Sequence, residues 1–322
     1  MILITGCAGF IGFNLANTLC IKRQKVIGID FISKSTSLIK KDRLKILKKN
    51  KYFKFSNIDI SKSKSVSKFF DANKIKVVVH LAAAAGVRES IVNPEKYFSS
   101  NLLGFFNIIE SSKKSKVKKF IYASSSSVYD KKAKIPYKEN DSNDNQISFY
   151  ALTKKNNEQI AKYFSECHSM ITIGLRFFSV YGPWGRPDMA YYKFTNLIHN
   201  NREIEVFNYG NHKRDFTYID DVVNFIKILI KKNIHLSNKF SIFNVGNGEP
   251  IKLMTLIEHI EQYLGKKAKI KFMKKQIGDV HTTFADMQKS KRELNFQTKY
   301  SFDKGINNFI KWYLKSHKKP YN

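Results

Sequence analysis

Short apolar runs alternate with segments of helical periodicity through the first half of the chain. The run Val77–Leu81 is β-branched and almost continuous, which is typical of a strand covered on both faces of a sheet. Ile2–Thr5 is a similar run, and a helical pattern follows it over Gly9–Cys20. The same criteria predict strands at Lys25–Asp30, Tyr52–Ser56, Lys119–Ala123 and Ile171–Phe177, and helices near Ser63–Ala72, Pro94–Ser112 and Phe149–Glu166. This alternation predicts an α/β fold of the Rossmann type, with a doubly wound parallel sheet.

The pattern becomes irregular from Ser179 onward. Helices are still predicted near Tyr218–Lys231 and Leu253–Gly265, and a strand at Phe240–Val245 lies between them. We therefore expect a larger sheet domain and a smaller, partly interleaved α/β lobe. The expected bounds are 1–178 for the sheet domain, with 216–247 returning to it, and 179–322 for most of the smaller lobe.

Three glycines follow the first predicted strand directly. Gly6 permits a tight turn, Gly9 lets backbone N–H groups approach a pyrophosphate, and Gly12 allows a helix to pack closely on the strand. Asp30 ends the next strand, where a carboxylate accepts hydrogen bonds from ribose hydroxyls and repels a 2′-phosphate. The alternative is a plain tight turn and a solvated carboxylate. The strand–turn–helix context favours an NAD site, so we expect residues 1–178 to be the NAD-binding domain.

Four further residues border this predicted site. Phe10 and Ile11 lie within the glycine-rich turn, where the helix begins. Asp59 and Ile60 follow the third strand, so the carboxylate is placed to approach the adenine amino group. An aspartate in a loop is usually just solvated, which remains the alternative for Asp59.

A second set of residues suggests proton transfer. Tyr150 and Lys154 open a predicted helix, and positions four apart share one helix face. A free phenol, with a pKa of about 10, is a poor base at neutral pH, but a nearby ammonium stabilises the phenolate. Ser125 follows a strand and can hydrogen-bond the hydroxyl that loses its proton. Such a tyrosine–lysine pair is often only an exposed helix pair, but the glycine-rich turn and the serine upstream favour catalysis.

Composition excludes other classes of protein. The 322 residues carry a formal charge of +31, but 49 of the 57 basic residues are lysines, and they are scattered along the sequence. Arginine is the residue that nucleic-acid sites favour, so we interpret the charge as compositional bias and predict no nucleic-acid partner. Cys7, Cys20 and Cys167 have neither metal nor disulfide spacing, so we predict a cytoplasmic protein with no metal. No run is long enough to predict membrane insertion.

Together these motifs resemble the extended short-chain dehydrogenase/reductase family, the NAD-dependent epimerases and dehydratases. The resemblance covers nearly the whole chain and rests on His80–Ala83, Tyr122–Tyr129, Tyr150–Lys154, Leu175–Pro183, Arg214–Asp221 and Gly278–Val280. It implies a catalytic set of Ser125, Tyr150 and Lys154. It also implies that Asn101 and the segment Leu81, Ala82 and Ala83 border the cofactor, and that Arg214 and Asp279 hold the diphosphate of a nucleotide sugar in the smaller lobe.

Two features narrow the reaction. Dehydratases of this family carry an Asp-Glu pair where this chain has Ser126 and Ser127, so no carboxylate is present there for water elimination. The segment 181–190 resembles the corresponding stretch of UDP-glucuronate 4-epimerases, in which Arg186 would offer a two-donor fork to a sugar carboxylate. Arg88 is a second candidate for that role, and Arg186 binding only phosphate or solvent is the alternative.

The resulting hypothesis is an NAD-dependent 4-epimerase that converts UDP-glucuronate to UDP-galacturonate through a 4-keto sugar that turns within the site. The alternatives are a 4-epimerase of UDP-glucose or UDP-N-acetylglucosamine, a nucleotide-sugar oxidoreductase or decarboxylase, and a non-catalytic binder. The resemblance also implies a homodimer formed through the helices near Pro94–Ser112 and Phe149–Glu166. Apolar surface for it would come from Phe105, Phe106, Ile108 and Ile109, which ordinary core packing explains equally well. The chain departs from the family pattern at Ala84, Glu89, Asp130 and Ile277.

Overall fold

The predicted strand–helix alternation folds into a seven-stranded sheet. The structure is a computed structural model, and it describes residues 1–130, 133–141, 145–231, 239–275 and 280–316. The strands are β1 (Ile2–Thr5), β2 (Val26–Asp30), β3 (Phe53–Asn57), β4 (Val77–His80), β5 (Lys119–Ser125), β6 (Ile171–Phe177), β7 (Ser179–Tyr181), β8 (Glu203–Phe207), β9 (Lys213–Tyr218), β10 (Phe240–Val245), β11 (Pro250–Lys252) and β12 (Lys269–Met273). The large sheet has the order β10-β6-β5-β4-β1-β2-β3, and its ladders from β6 to β3 are parallel. The Rossmann-type prediction is confirmed.

Helices lie between these strands and after β12. They are α1 (Phe10–Ile21), α2 (Leu38–Lys48), α3 (Ser63–Asp71), α4 (Val87–Val92), α5 (Pro94–Tyr97), α6 (Gly104–Lys114), α7 (Phe149–His168), α8 (Ala190–His199), α9 (Ile219–Lys231), α10 (Leu253–Leu264), α11 (Gln288–Leu294) and α12 (Phe302–Ser316). A π-helical segment, Phe98–Leu103, joins α5 to α6. The helix predicted near Pro94–Ser112 therefore forms, but with one widened turn inside it.

The chain divides into two compact units. The first contains Met1–Asp130, Ser142–Phe177 and Val223–Phe243, and the second contains Lys131–Asp141, Phe178–Val222 and Asn244–Asn322. The segment of the C-terminal half that returns to the first unit, Val223–Phe243, is thus shorter than the predicted 216–247. One reason is that residues 216–218 of β9 pair with β7, which belongs to the second unit.

The core of the first unit lies between the sheet and its helices. Phe105, Ile108 and Ile109 of α6 are completely buried in it, together with Phe120 of β5. Of the two alternatives for Phe105, Ile108 and Ile109, the structure therefore shows core packing and not exposed apolar surface. Phe106 alone of the four expected residues is exposed, because helical periodicity turns its side chain away from the sheet.

The second unit contains a three-stranded sheet, β11-β9-β7, and a parallel pair of β8 and β12. Asp215 of β9 is completely buried, and its carboxylate accepts hydrogen bonds from the backbone N–H groups of Asn247, Gly248 and Ala285. This one side chain therefore ties three stretches of the unit together. Within the described residues, no helix combines the length and the apolar character needed to cross a bilayer.

Candidate active site

The glycine-rich turn lies between β1 and α1 and brings its backbone close to the end of β4. Gly6 has a φ of +69°, and a β-carbon on it would lie 2.8 Å from the backbone nitrogen of Ala82. A β-carbon on Gly12 would overlap the carbonyl oxygen of Gly6. The N-cap residue of α1, Gly9, has no side chain to cover the first N–H groups of the helix. The turn therefore ends in an open helix terminus, a feature that can bind anions, with Phe10 buried and Ile11 half-buried at its start.

Asp30 lies at the end of β2 beside this turn. Its carboxylate accepts hydrogen bonds from the N–H groups of Ala8 and Phe31, each at 2.9 Å. The whole residue is only 7% exposed. The ammonium of Lys40, on α2, also lies 2.9 Å from Oδ1. Arg43, one turn later on α2, is buried and donates to the Ala8 carbonyl. The carboxylate is thus held in place beside the glycine-rich turn, and α2 contributes a cation that the sequence analysis missed.

Asp59 has a local partner. Its Oδ1 accepts hydrogen bonds from both the N–H and the hydroxyl of Ser61, at 2.9 and 2.8 Å. Ile60 is buried, and its carbonyl accepts a hydrogen bond from the side chain of Asn107. The carboxylate therefore closes a turn, and its contact with adenine stays a prediction.

A buried hydrogen-bond network fixes the end of β4. The hydroxyl of Thr5 accepts hydrogen bonds from the N–H groups of Leu81 and Ala82, both at 3.1 Å, and lies 2.9 Å from Nδ1 of His80. Burial first, and the charge of Lys154 second, lower the pKa of His80 to about 3, so the imidazole is neutral. Because the Thr5 hydroxyl oxygen already accepts two hydrogen bonds, its own proton is placed to be donated to Nδ1. This network holds Leu81 and Ala82 against the glycine-rich turn, and Ala83 follows them directly in the chain.

Asn101 lies in the π-helical segment and connects two parts of the site. Its Oδ1 accepts from the N–H of Ala84 at 2.8 Å, and its Nδ2 donates to the Ala84 carbonyl and to the Thr153 hydroxyl. Widened turns of this kind often occur at functional sites, where they redirect a side chain. Because these bonds use only the backbone of Ala84, the departure from the family pattern at that position leaves the connection intact.

Tyr150 and Lys154 occupy one face of α7, near its start. The hydroxyl of Ser148 caps the helix, and the ring of Tyr97 meets the ring of Tyr150 edge to face, with centroids 6.1 Å apart. Lys154 is 97% buried, donates a hydrogen bond to the Ala123 carbonyl at 2.9 Å, and lies 5.9 Å from the centre of the Tyr150 ring. Burial lowers the pKa of Lys154 to about 8. The cation therefore sits beside the phenol and loses its proton more readily than an exposed lysine does.

Ser125 ends β5, the strand that Lys154 contacts. Its hydroxyl accepts a hydrogen bond from the N–H of Ser127 and donates to the Ser127 hydroxyl, each at 3.2 Å. Ser126 and Ser127 form a short 3-10 turn directly after the strand. The first unit thus brings the three expected catalytic residues to α7 and the adjoining end of β5.

A buried ion pair that sequence reasoning missed lies one turn further along α7. Arg176 of β6 donates from Nε and Nη2 to the two carboxylate oxygens of Glu158, at 2.9 and 2.8 Å. The hydroxyl of Ser124 donates to the same carboxylate at 2.6 Å. The only available signal was the four-residue spacing of Tyr150, Lys154 and Glu158, which identifies a shared face but no partner.

The other predicted substrate residues differ in their surroundings. Arg186 forms a two-bond contact with Asp188, at 3.1 and 2.6 Å, so its fork already holds a carboxylate. Arg214 is half-buried on β9 and donates to the carbonyls of Lys213 and His281. Arg88 is exposed on α4. Asp279 lies outside the described residues, as does Ile277.

Comparisons with known proteins give matches over almost the whole chain. A family model described as the NAD dependent epimerase/dehydratase family matches residues 2–246. The CapI protein of Staphylococcus aureus is 44% identical, covering 99% of each chain, and a UDP-glucuronate 4-epimerase of Thermodesulfobacterium geofontis is 36% identical over 96% of this chain and 95% of that protein. The crystal structure of a UDP-glucuronic acid 4-epimerase from Bacillus cereus, in complex with UDP-glucuronic acid and NAD, has a TM-score of 0.90 at 31% identity and covers 98% of this chain and 99% of its own.

Proposed function

Because the chain belongs to the NAD-dependent epimerase/dehydratase family, whose cofactor is NAD, we propose that it is a UDP-glucuronate 4-epimerase that forms UDP-galacturonate. The observation that carries this proposal is the arrangement of Ser125, Tyr150 and Lys154 at one end of β5 and α7. Ser126 and Ser127 follow without a carboxylate, so the turn lacks the acid and base that water elimination requires.

The residues of the first unit fit NAD. The cradle at Gly6 and Gly12 leaves no room for a β-carbon, and Asp30 is held where it can accept from a ribose. We assign the cofactor to Gly6, Gly9, Phe10, Ile11, Gly12, Asp30, Asp59, Ile60, Leu81, Ala82, Ala83, Asn101, Tyr150 and Lys154. When bound there, NAD supplies a hydride acceptor for C4 of the sugar and returns the hydride.

The side chains move the proton that accompanies this exchange. Tyr150 removes the proton of the 4-hydroxyl as C4 becomes a ketone, and returns it when C4 is reduced on the opposite face. The Lys154 ammonium stabilises the phenolate form of Tyr150, and the Ser125 hydroxyl holds the sugar oxygen. Since the proton and the hydride both return to the sugar, the reaction needs no net oxidant.

The pH dependence of turnover tests the role of Lys154. Its pKa is lowered to about 8, so the ammonium is lost as pH rises through that value, and we expect kcat to fall above about pH 8. The measurement is kcat from pH 6 to 10 on the NAD-loaded enzyme. A Lys154→Arg variant keeps its charge over this range and should lack the alkaline decline, although with lower turnover. A wild-type kcat that stays level to pH 10 would contradict this role.

We assign the substrate to Arg88, Ser125, Ser126, Ser127, Arg186, Arg214 and Asp279. The fork of Arg186 has the geometry for a uronate carboxylate, and Asp188 shows the type of group it holds. A sugar carboxylate would replace Asp188 on that fork. The neutral 6-hydroxyl of UDP-glucose would gain no such contact.

Substitution of Arg186 separates these two substrates. Arg186→Ala should raise the KM for UDP-glucuronate by about 10- to 100-fold, because a charge-assisted pair of hydrogen bonds is lost. The matched variant Asp188→Asn removes the competing carboxylate and should leave this KM unchanged or lower it. Steady-state rates with UDP-glucuronate and UDP-glucose provide the comparison. A similar loss for both sugars would assign Arg186 to their shared diphosphate.

We also propose a homodimer in the cytoplasm. Phe98 and Leu103 lie exposed on the π-helical segment, Phe106 is exposed on α6, and Leu152 and Tyr163 are exposed on α7. Exposed apolar residues on adjacent helices suit a subunit interface. A monomer mass by light scattering at micromolar concentration would exclude the dimer. The three free cysteines are consistent with a reducing compartment.

A further inference from the structure

The ion pair between Glu158 and Arg176 lies next to the proposed catalytic residues, one helical turn after Lys154 on α7. Tyr150, Lys154 and Glu158 are spaced four residues apart on α7, and the last two of them contact consecutive residues of β5. Lys154 donates to the Ala123 carbonyl, and Glu158 accepts from the Ser124 hydroxyl. The next residue of the strand is Ser125, so these two contacts fix how far along β5 the catalytic helix sits.

The pair connects three elements of the first unit. Ser124 of β5 lies opposite Arg176 of β6 in the parallel ladder, and both donate to the carboxylate of Glu158 on α7. The side chains of Glu158 and Arg176 are each 3% exposed. The guanidinium also lies 4.7 Å from the centre of the Tyr129 ring. The contacts of the ion pair therefore reach Ser124, through Glu158, and Tyr129, through Arg176, and these two residues flank the segment 125–128.

Stability alone is a poor explanation for this arrangement. Removing two charges from water opposes their attraction, and apolar pairs of similar volume often serve as well or better. A bidentate arginine–carboxylate pair differs from apolar packing in its geometric demand, since two parallel N–H···O bonds must lie in one plane. The pair thus restricts the position of α7 more tightly than apolar side chains would.

We propose that the Glu158–Arg176 pair is a positioning device that sets the register of α7 against β5 and thereby aims Tyr150 and Ser125 at the same sugar oxygen. Neither residue touches the substrate in this account, which rests on the proposed function. Reacting groups displaced by about 1 Å lose up to about 100-fold in rate. The pair therefore acts on kcat through geometry.

The decisive variant replaces both charges by apolar side chains, Glu158→Met with Arg176→Met. We expect a folded, NAD-containing enzyme whose kcat is about 10- to 100-fold lower, with a KM within about twofold of wild type. The matched control is Lys119→Met, which removes a buried charge from the other end of β5, where Lys119 donates to the Leu229 carbonyl. That control should lower the melting temperature and leave kcat unchanged. Wild-type kcat in the double variant would overturn the proposal.

A smaller change covers the case in which the double variant fails to fold. Ser124→Ala removes one hydroxyl from the network, and we expect kcat to fall about 3- to 10-fold at constant KM. Unchanged kcat in this variant would overturn the proposal.

Hydrogen exchange provides a readout that needs no sugar. Amide exchange of the NAD-loaded enzyme should accelerate selectively in the segment 124–129 of the variants, and not in Lys119→Met. Unaltered exchange in that segment would count against positioning. Failure of the wild type to epimerise UDP-glucuronate would refute the proposed function instead, and the exchange comparison would still decide the role of the pair.

Discussion

Replacing Tyr150 by phenylalanine is expected to lower kcat for UDP-glucuronate by about 10²- to 10⁴-fold, the range that a positioned acid–base group contributes. The substitution removes only the phenolic oxygen, so the edge-to-face contact with Tyr97 and the start of α7 should remain. The NAD content of the purified protein should be unchanged. Product formation by chromatography, together with the cofactor absorbance of the denatured protein, measures both quantities.

Tyr163→Phe is the matched control for this experiment. Tyr163 lies on the same helix as Tyr150, but its side chain is exposed. Loss of its hydroxyl should leave kcat unchanged. If Tyr150→Phe kept more than about a tenth of wild-type turnover, another group would have to carry the proton, and the proposed mechanism would fail.

Substitution of Gly12 by valine is expected to have the largest effect on the cofactor site. The new β-carbon would overlap the backbone carbonyl of Gly6, and backbone yields less readily than a flexible side chain. Either α1 moves away from β1 or the glycine-rich turn opens. We expect protein purified without NAD and a melting temperature lower by about 10 °C, as overpacking of about 3 kcal/mol would cause.

Gly265→Ala controls for the loss of a glycine in itself. Gly265 follows α10 with a φ of +64°, and a β-carbon there meets nothing within 4 Å. Alanine in this conformation costs about 1–2 kcal/mol of backbone strain, so stability should fall slightly while NAD content stays normal. An NAD-replete Gly12→Val enzyme would show that the turn does not hold the cofactor as proposed.

The parts of the site that the sequence predicted are those that depend on local spacing. Tyr150 and Lys154 share a face because four residues make about one helical turn, and the glycine-rich turn follows its strand without a gap. Neither feature requires knowledge of residues that are distant in the sequence in order to be predicted. The fold class followed in the same way from the alternation of strands and helices.

The missed parts depend on contacts between distant or unrecognised elements. Lys40 reaches Asp30 only because α2 forms. The many lysines of that helix make its apolar periodicity hard to recognise in the sequence. The partners Thr5 and His80 are 75 residues apart, and only the β1–β4 ladder brings them together. Sequence periodicity contains no information of this kind, so neither contact was predictable.

The structure explains how the chain accommodates Glu89, a departure from the family pattern. A carboxylate facing an anionic sugar would repel it, but Glu89 is half exposed and pairs with Lys96 at 2.5 Å. The charge is therefore neutralised on the surface of α4. At the departure Asp130, the carboxylate accepts a hydrogen bond from the side-chain amide of Asn145.

Product analysis tests directly whether this protein epimerises UDP-glucuronate. Purified protein is incubated with UDP-glucuronate, first without added NAD and then with it, and the UDP-sugars are separated by chromatography. We expect UDP-galacturonate to form, with no accumulation of NADH and no release of carbon dioxide. No conversion of UDP-glucuronate under either condition, with turnover of UDP-glucose or UDP-N-acetylglucosamine instead, would contradict the proposed substrate; stoichiometric NADH or carbon dioxide would contradict the proposed reaction.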